Sequence, residues 1–256
     1  MFGISNLSIV PCRKDPSDSS EMVTQLLFGE HFEILEKQAK WSLIKIAHDS
    51  YECWIGNKQY ATISEAFADS LNKKNYSLSN DLLQIATNKK NEVFPLVLGS
   101  VLPYFRSGIF NIEKEEYNYE GETIAFKKNR KQIIKNAFLY LNAPYLWGGR
   151  SPFGIDCSGL TQMAYKLSGL ALLRDAKQQA EQGITLSFLE EAEPGDLAFF
   201  DNEEGKIIHV GIILENNQIL HASGKVRIDT IDHFGIFNNN SQNYTHQLRL
   251  IKNILS

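Results

Sequence analysis

A chain of 256 residues, 43% of them hydrophobic, can bury a sizeable core and is long enough for two or three domains. Its 26 Lys and Arg against 30 Asp and Glu leave a net charge of −4, and no basic run is interleaved with aromatics, which speaks against nucleic acid or another polyanion as partner. The first residues, MFGISNLSIVPCRKDPS, lack the basic start, apolar stretch and cleavage site of a signal peptide, and no window approaches the ~18 apolar residues of a membrane span; a cytoplasmic chain is expected, although one trimmed of such a peptide would read the same.

Residues 1–62 read as short strands. HFEILE alternates Phe32 and Ile34 against Glu33 and Leu35, WSLIKIA carries Trp41, Leu43 and Lys45 on one parity, and DSYECWI follows a turn signal at Asp49-Ser50. Short strands spaced by turns suggest a small barrel. Gly29-Glu30, Trp41, and Tyr51 with Trp54-Ile55 resemble the strand markers of a bacterial SH3 (SH3b) domain. Residues 63–125 include a Ser/Asn/Lys-rich stretch, LNKKNYSLSND, expected to be a linker. NEVFPLVLGSVLPYF and GIFNIEKEEYNYEGE then give further short strands, expected to form a second, diverged SH3-like barrel.

The pattern changes at about residue 126. KKNRKQIIKNAFLYLNAP places Ile134, Phe138 and Leu141 on one helical stripe, with Pro144 closing the helix. After Cys157, SGLTQMAYKLSG puts Leu160, Ala164 and Leu167 on one face, and Gly169 suits the position after the helix end. An EPGD turn, the strand DLAFF, the hairpin IIHVGIIL–QILHAS and the strands KVRI and HQLRLIK follow. Helices first and an antiparallel sheet afterwards predict an α+β domain over 126–256.

Three cysteines, Cys12, Cys53 and Cys157, are odd in number and widely spaced with no CxxC, so neither a disulfide framework nor a thiolate metal site is expected. Cys157 is the candidate nucleophile. It follows a Gly-rich loop, WGGRSPFGID, and opens a helix, where the free N–H groups and positive dipole end favour a thiolate and could hold an oxyanion; the plain alternative is a buried core cysteine. Cys12 and Cys53 sit in strand contexts and read as structural.

Six histidines are available as a base. Surface positions account for His31, His48, His233 and His246, whereas His209 and His221 lie on adjacent strands joined by Glu215-Asn216-Asn217. A three-residue hairpin loop sets Leu214 opposite Gln218 and Gly211 opposite His221, so that His209 and His221 are diagonal neighbours on one side, about 7–8 Å apart at Cα. A loop of even length would put them on opposite sides. In this register His209 takes the thiol proton and His221 orients it.

The blocks Tyr145-Leu146-Trp147-Gly148-Gly149, Gly154-Ile155-Asp156-Cys157-Ser158-Gly159-Leu160, Pro194-Gly195-Asp196-Leu197 and His209-Val210-Gly211 together are very similar to the NlpC/p60 family of cysteine peptidases. The resemblance covers roughly residues 126–256. It implies a papain-like catalytic domain with Cys157 as nucleophile, His209 as base, His221 as third polar residue and the Tyr145 hydroxyl at the oxyanion site; packing beside Trp147 is the other role open to Tyr145. SH3b-like units before such a domain look like the γ-D-glutamyl-L-diamino acid endopeptidases of murein recycling. That likeness implies a free N-terminal L-Ala on the substrate, its amine gripped by Asp156, Ser158, Glu21 and Tyr51. The alternatives at these positions are a helix N-cap for Asp156, a solvated carboxylate for Glu21 and a strand aromatic for Tyr51. The family's RDAxQQ stretch stands as Arg174-Asp175-Ala176-Lys177-Gln178-Gln179, with Lys177 where relatives often carry Ser.

The expected protein is thus a monomeric α+β hydrolase, one or two all-β barrels before a catalytic domain, acting on murein-derived tri- or tetrapeptides without metal or organic cofactor. Two other readings compete: an inactive murein-binding protein, and a thiol amidase cutting the muramyl–L-Ala bond.

Overall fold

The computed structural model describes residues 1–255. Two compact units make up the chain: Met1–Ala125 with Trp147–Pro152, and Phe126–Leu146 with the chain from Phe153 onward.

The first unit opens with strands β1 (Phe2–Ile4), β2 (Ile9–Arg13), β3 (Met22–Leu27), β4 (His31–Lys37), β5 (Trp41–Ile46), β6 (Glu52–Gly56) and β7 (Ala61–Ile63). They form one sheet in the order β3-β2-β6-β5-β4-β1-β7. Val10, Cys12, Leu26, Phe32, Ile34, Ile44, Ile46, Cys53 and Ile55 meet in a single cluster. Side chains alternate along a strand, so five strands feeding one cluster require the sheet to curl round it. On β5 the inward parity is Ser42, Ile44 and Ile46, leaving Trp41, Leu43 and Lys45 half-buried. The Cys12 and Cys53 thiols lie buried against each other, and this contact, with burial, pushes the Cys53 thiol up.

A helix over residues 65–72 leads into the stretch expected to be a linker. In α1 (Glu65–Asn72) the Ser64 hydroxyl caps the N-terminus by accepting from Phe67 N at 3.2 Å, and Phe67, Ala68 and Leu71 are buried. Only Leu71 and Asn72 of the expected linker stretch are helical; Lys73 and Lys74 form the turn that follows. The stretch continues into β8 (Tyr76–Leu78), with Leu78 buried. Strands β9 (Leu83–Asn88), β10 (Val93–Val97), β11 (Val101–Pro103), β12 (Ile109–Ile112) and β13 (Glu115–Tyr119) follow, in a sheet ordered β10-β9-β13-β12 and a pair β11-β8. Ile4 and Phe28 from the first sheet share their core with Phe67, Leu96, Phe110 and Tyr117, and Phe28 meets Phe110 and Tyr117 edge-on at 5.7 and 5.9 Å.

The segment Trp147–Pro152, with β14 (Arg150–Ser151), belongs to this unit through Arg150. Its guanidinium is fully buried and bidentate on Glu30, Nη1 to Oε2 at 2.8 Å and Nη2 to Oε1 at 3.0 Å. Its backbone N–H donates to Gln25 Oε1 at 2.8 Å. A buried charge is tolerated only when so paired. Gly148 precedes it at φ +74°, where a Cβ would stand 2.5 Å from the Met22 carbonyl oxygen; only glycine fits.

The second unit comprises α2 (Arg130–Phe138), β15 (Gly154–Ile155), α3 (Cys157–Leu167), α4 (Ala176–Gln179), β16 (Ile184–Leu186), β17 (Leu197–Asp201), β18 (Ile207–Ile213), β19 (Gln218–Ser223), β20 (Lys225–Ile231), β21 (Gly235–Asn238) and β22 (Asn243–Asn253). Each of β17 to β20 pairs with the next, β20 pairs β21, and β22 pairs both β21 and β17. Six antiparallel strands therefore close into a barrel, with β16 appended to the end of β22. Ala198, Phe200, Ile213, Ile219, Ile231, Ile236 and Ile251 fill its interior.

On α2 the buried positions are Ile133, Asn136 and Ala137, while Phe138 and Leu141 are exposed. The expected stripe of Ile134, Phe138 and Leu141 is displaced because Asn136, a polar residue, faces inward, where its amide donates to Ser168 Oγ at 2.9 Å. Helix α3 is buried on every side and ends before Gly169 at φ +85°. No helix among the described residues is long and apolar enough to cross a membrane.

Candidate active site

Cys157 opens α3, and Asp156 caps it by accepting from Gly159 N at 2.6 Å. The cap carboxylate also takes two hydrogen bonds from Arg174, Nη1 to Oδ1 at 3.1 Å and Nη2 to Oδ2 at 2.6 Å. Arg174 Nη1 donates again to Ser158 Oγ at 2.8 Å. Arg174 is 1% exposed, so a buried guanidinium fixes the turn that carries the thiol. Gln179 braces the same turn through Ser158 O at 3.0 Å and Thr161 Oγ1 at 2.7 Å. Lys177, the departure from the family's stretch, is exposed on α4.

The hairpin register is the one the three-residue loop dictates. Leu214 N donates to Gln218 O at 2.8 Å, and Gly211 stands opposite His221. His209 Nε2 and His221 Nδ1 are consequently 2.9 Å apart. Helix α3 packs on β18, and the backbone N–H of Val210, the residue after His209, hydrogen-bonds the Cys157 thiol.

The relay continues one residue further than the sequence suggests. His221 Nε2 donates to Asp229 Oδ2 at 3.0 Å, and Arg227 holds the same carboxylate, with Nη2 2.9 Å from Oδ1 and Nε 2.7 Å from Oδ2. Burial would raise the Asp229 pKa, but the bonds from His221 and Arg227 hold it below the usual carboxylate range. An ionised Asp229 only accepts, so in its neutral form His221 carries its proton on Nε2 and presents a bare Nδ1. That nitrogen must then accept from His209 Nε2–H, and His209 keeps its lone pair on Nδ1. The network thus assigns the basic atom. The expected strand KVRI stops one residue short of Asp229, whereas β20 runs on to Ile231 and carries the carboxylate into the relay.

Burial, reinforced by His246 and His221, pushes His209 well below the ordinary histidine value, so it is neutral at pH 7. The Cys157 thiol departs from expectation. Burial first, then the Asp156 charge, push it up to about 12, against the lowering pull of the Val210 and Ser158 backbone and of Arg174. The helix N-terminus does not offset the desolvation of a site only 7% exposed. At rest the Cys157 thiol keeps its proton and the His209 imidazole is uncharged.

Tyr145 is held up to about 12 by burial and by Cys157 and Asp156 nearby, so its hydroxyl stays protonated and can donate. The second unit thus brings together Cys157, His209, His221, Tyr145, Asp156 and Ser158. Glu21 and Tyr51 lie in the first unit. There Glu21 Oε1 accepts from Trp147 Nε1 at 2.8 Å, and Tyr51 packs half-buried on the first barrel's core.

His246 corrects the surface role expected for it. Its ring stacks on His209, centroids 4.0 Å apart and planes at 22°. Ring nitrogens of His209, His221 and His246 lie within 4.8 Å of one another. Stacked imidazoles keep their nitrogens in near-parallel planes, however, and His209 and His221 share a proton, so the three do not converge on one point as metal ligands must.

The NlpC/P60 family profile matches residues 142–248, and a bacterial dipeptidyl-peptidase SH3 domain profile matches residues 12–59. The gamma-D-glutamyl-L-lysine dipeptidyl-peptidase of Bacillus subtilis is 30% identical over 216 residues, covering 78% of this chain and 71% of that protein. The chain belongs to the NlpC/P60 family. Another relative, dipeptidyl-peptidase 6 of Lysinibacillus sphaericus, is 28% identical over 250 residues, 85% of this chain and 87% of that one. An NlpC/P60 protein from Bacillus cereus has the same fold over 100% of both chains, with a TM-score of 0.82 at 19% identity. This protein is therefore an NlpC/P60 peptidase with an N-terminal SH3-like all-β region.

Proposed function

We propose that the protein is a cysteine peptidase that hydrolyses the γ-D-glutamyl–diamino acid bond of murein-derived peptides bearing a free N-terminal L-Ala, in the recycling of cell-wall peptides. The observation that carries the cysteine mechanism is the relay Asp229–His221–His209, which leaves a lone pair on His209 Nδ1 at a strand whose next residue touches the Cys157 thiol. As Cys157 Sγ attacks the γ-carbonyl carbon, its proton passes to His209 Nδ1, and the oxyanion accepts from the Tyr145 hydroxyl and the α3 N-terminus. His209 returns that proton to the leaving amine and the diamino acid departs. Water, deprotonated by His209, then attacks the thioester to release L-Ala-γ-D-Glu and restore the thiol.

The choice of bond is supported by the relatives named for γ-D-glutamyl-L-lysine cleavage. Of the residues proposed to act on the amine, Asp156 and Ser158 lie in the second unit and Glu21 and Tyr51 in the first. Trp147 orients Glu21 through one oxygen, while the other lies 3.9 Å from Lys14 Nζ, at a half-exposed position able to receive an ammonium. Incubation with L-Ala-γ-D-Glu-meso-diaminopimelate and its N-acetyl form, followed by mass spectrometry, tests the reading. Release of L-Ala-γ-D-Glu is expected, with the free amine favoured about ten- to a hundredfold, the value of one charge-assisted contact. Release of alanine instead, or equal cleavage of both peptides, contradicts it.

A further inference from the structure

His246 shares the barrel mouth with the relay but has no hydrogen bond in it. Its place depends on two irregularities in β22. Against β17, Phe199 faces Leu250 and Phe200 faces Leu248, so Arg249 is an extra residue. Counting strictly in twos from the inward Ile251 would send His246 outward; the bulge lets Ile251 and Leu248 both pack inward, and His246 follows Leu248. A second shift, between Ile236 and Phe237 on the β21 side, releases the strand again at Thr245.

The His209 ring is enclosed from three strands. Phe200 of β17 tilts against it at 5.8 Å, His221 of β19 meets it edge-on at 5.1 Å, and His246 of β22 covers one face at 4.0 Å. Beyond His246 lies a cleft of about 470 Å³ lined by Phe234, Tyr244, Thr245, His246 and Gln247. The His246 side chain is thus a partition between that cleft and the base. The ionisable groups facing it are His209 and His221 and, on β20, Asp229; its own Nδ1 bonds Thr245 Oγ1 at 2.9 Å. Burial, then His221, hold it down to about 4, so it places no charge beside the base at neutral pH.

We propose that His246 is a positioning residue: its stacked ring holds the His209 imidazole in the plane that keeps Nε2 on His221, and it keeps water from that face of the base. The proposal rests on the reading of His209 as the base. An imidazole tied through one nitrogen can still swing about its side-chain torsions, and a flat neighbour on its open face is what stops it. The requirement is for a flat apolar face, so phenylalanine should serve and alanine should not.

The experiment compares wild type, His246→Ala and His246→Phe in two ways. Steady-state cleavage of L-Ala-γ-D-Glu-L-Lys separates kcat from KM, and long-range ¹⁵N–¹H NMR of the ring nitrogens reads the His209 tautomer without substrate. His246→Ala should lower kcat about three- to tenfold at unchanged KM, whereas His246→Phe should stay within about twofold of wild type, the range expected for one ring-on-ring contact. The Nε2–H tautomer of His209 should persist in the Phe variant and average with the other tautomer in the Ala variant. An Ala variant with wild-type kcat and a single His209 tautomer overturns the proposal, as does a Phe variant as impaired as Ala. If wild type leaves the peptide intact, the reading of function fails on its own, and the NMR result still decides the role of His246.

Discussion

Asp229 determines, through two successive hydrogen bonds, which nitrogen of His209 can take a proton. Asn in its place could donate where the carboxylate only accepts, which would reverse the His221 tautomer and set two N–H groups against each other. Asp229→Asn is therefore expected to lower kcat by about 10²–10⁴-fold with little change in KM, the usual worth of a general base. Steady-state kinetics between pH 4.5 and 9 check this and the base together. Because His209 titrates below the ordinary value of about 6.5, the wild-type acid limb should lie below that pH. A limb at or above it, or an Asn variant of normal kcat, is incompatible with the relay. The placement of Cys157, His209 and His221 was legible because each sits at a local event the sequence displays: a helix start, and a hairpin whose loop can be counted. Asp229 was not, since its partner lies on another strand and its own neighbours give no hint of the diagonal contact.

At the level of elements, α3 depends on a cap that is also half of a buried ion pair. Asp156 and Arg174 are 6% and 1% exposed, and removing one partner of such a pair leaves an uncompensated charge. Arg174→Met should therefore destabilise the fold by about 3–5 kcal/mol in urea titrations; a loss under about 1 kcal/mol would mean that the cap carboxylate behaves as an exposed group. Composition alone misplaced several elements for related reasons. Helix α1 was not foreseen, ending as it does where the polar stretch read as a linker begins, and α2 turned because Asn136 finds a buried partner in Ser168. His246, expected at the surface, is instead turned toward His209 by bulges in β22 that a period of two does not show. By contrast, the hairpin of β18 and β19 was fully legible, since Gly211 and the loop length leave one register that seats His221.

Across the whole molecule, two buried histidines of the candidate site also set how stability depends on pH. His209 and His246 titrate below the ordinary value when folded, His246 at about 4, and near 6.5 when unfolded. Between those values the unfolded chain binds more protons, so stability is full above about pH 6.5 and declines as pH falls toward 4. Urea midpoints of the second unit should drop over that window, and His246→Phe should remove part of the drop; an identical pH slope in the variant would show that His246 is not buried neutral. The α+β architecture and the SH3-like region were readable from strand and helix periods. The sharing of Ile4 and Phe28 with the second set of strands was not, because a common core depends on packing between segments far apart in sequence.

The account stands most directly on the Cys157 thiol. Turnover of L-Ala-γ-D-Glu-meso-diaminopimelate should be compared in wild type and Cys157→Ala, with circular dichroism and thermal melting as controls for the fold. The account predicts release of the diamino acid by wild type and no detectable release by a Cys157→Ala protein that melts as wild type does; undiminished cleavage by the alanine variant would contradict it.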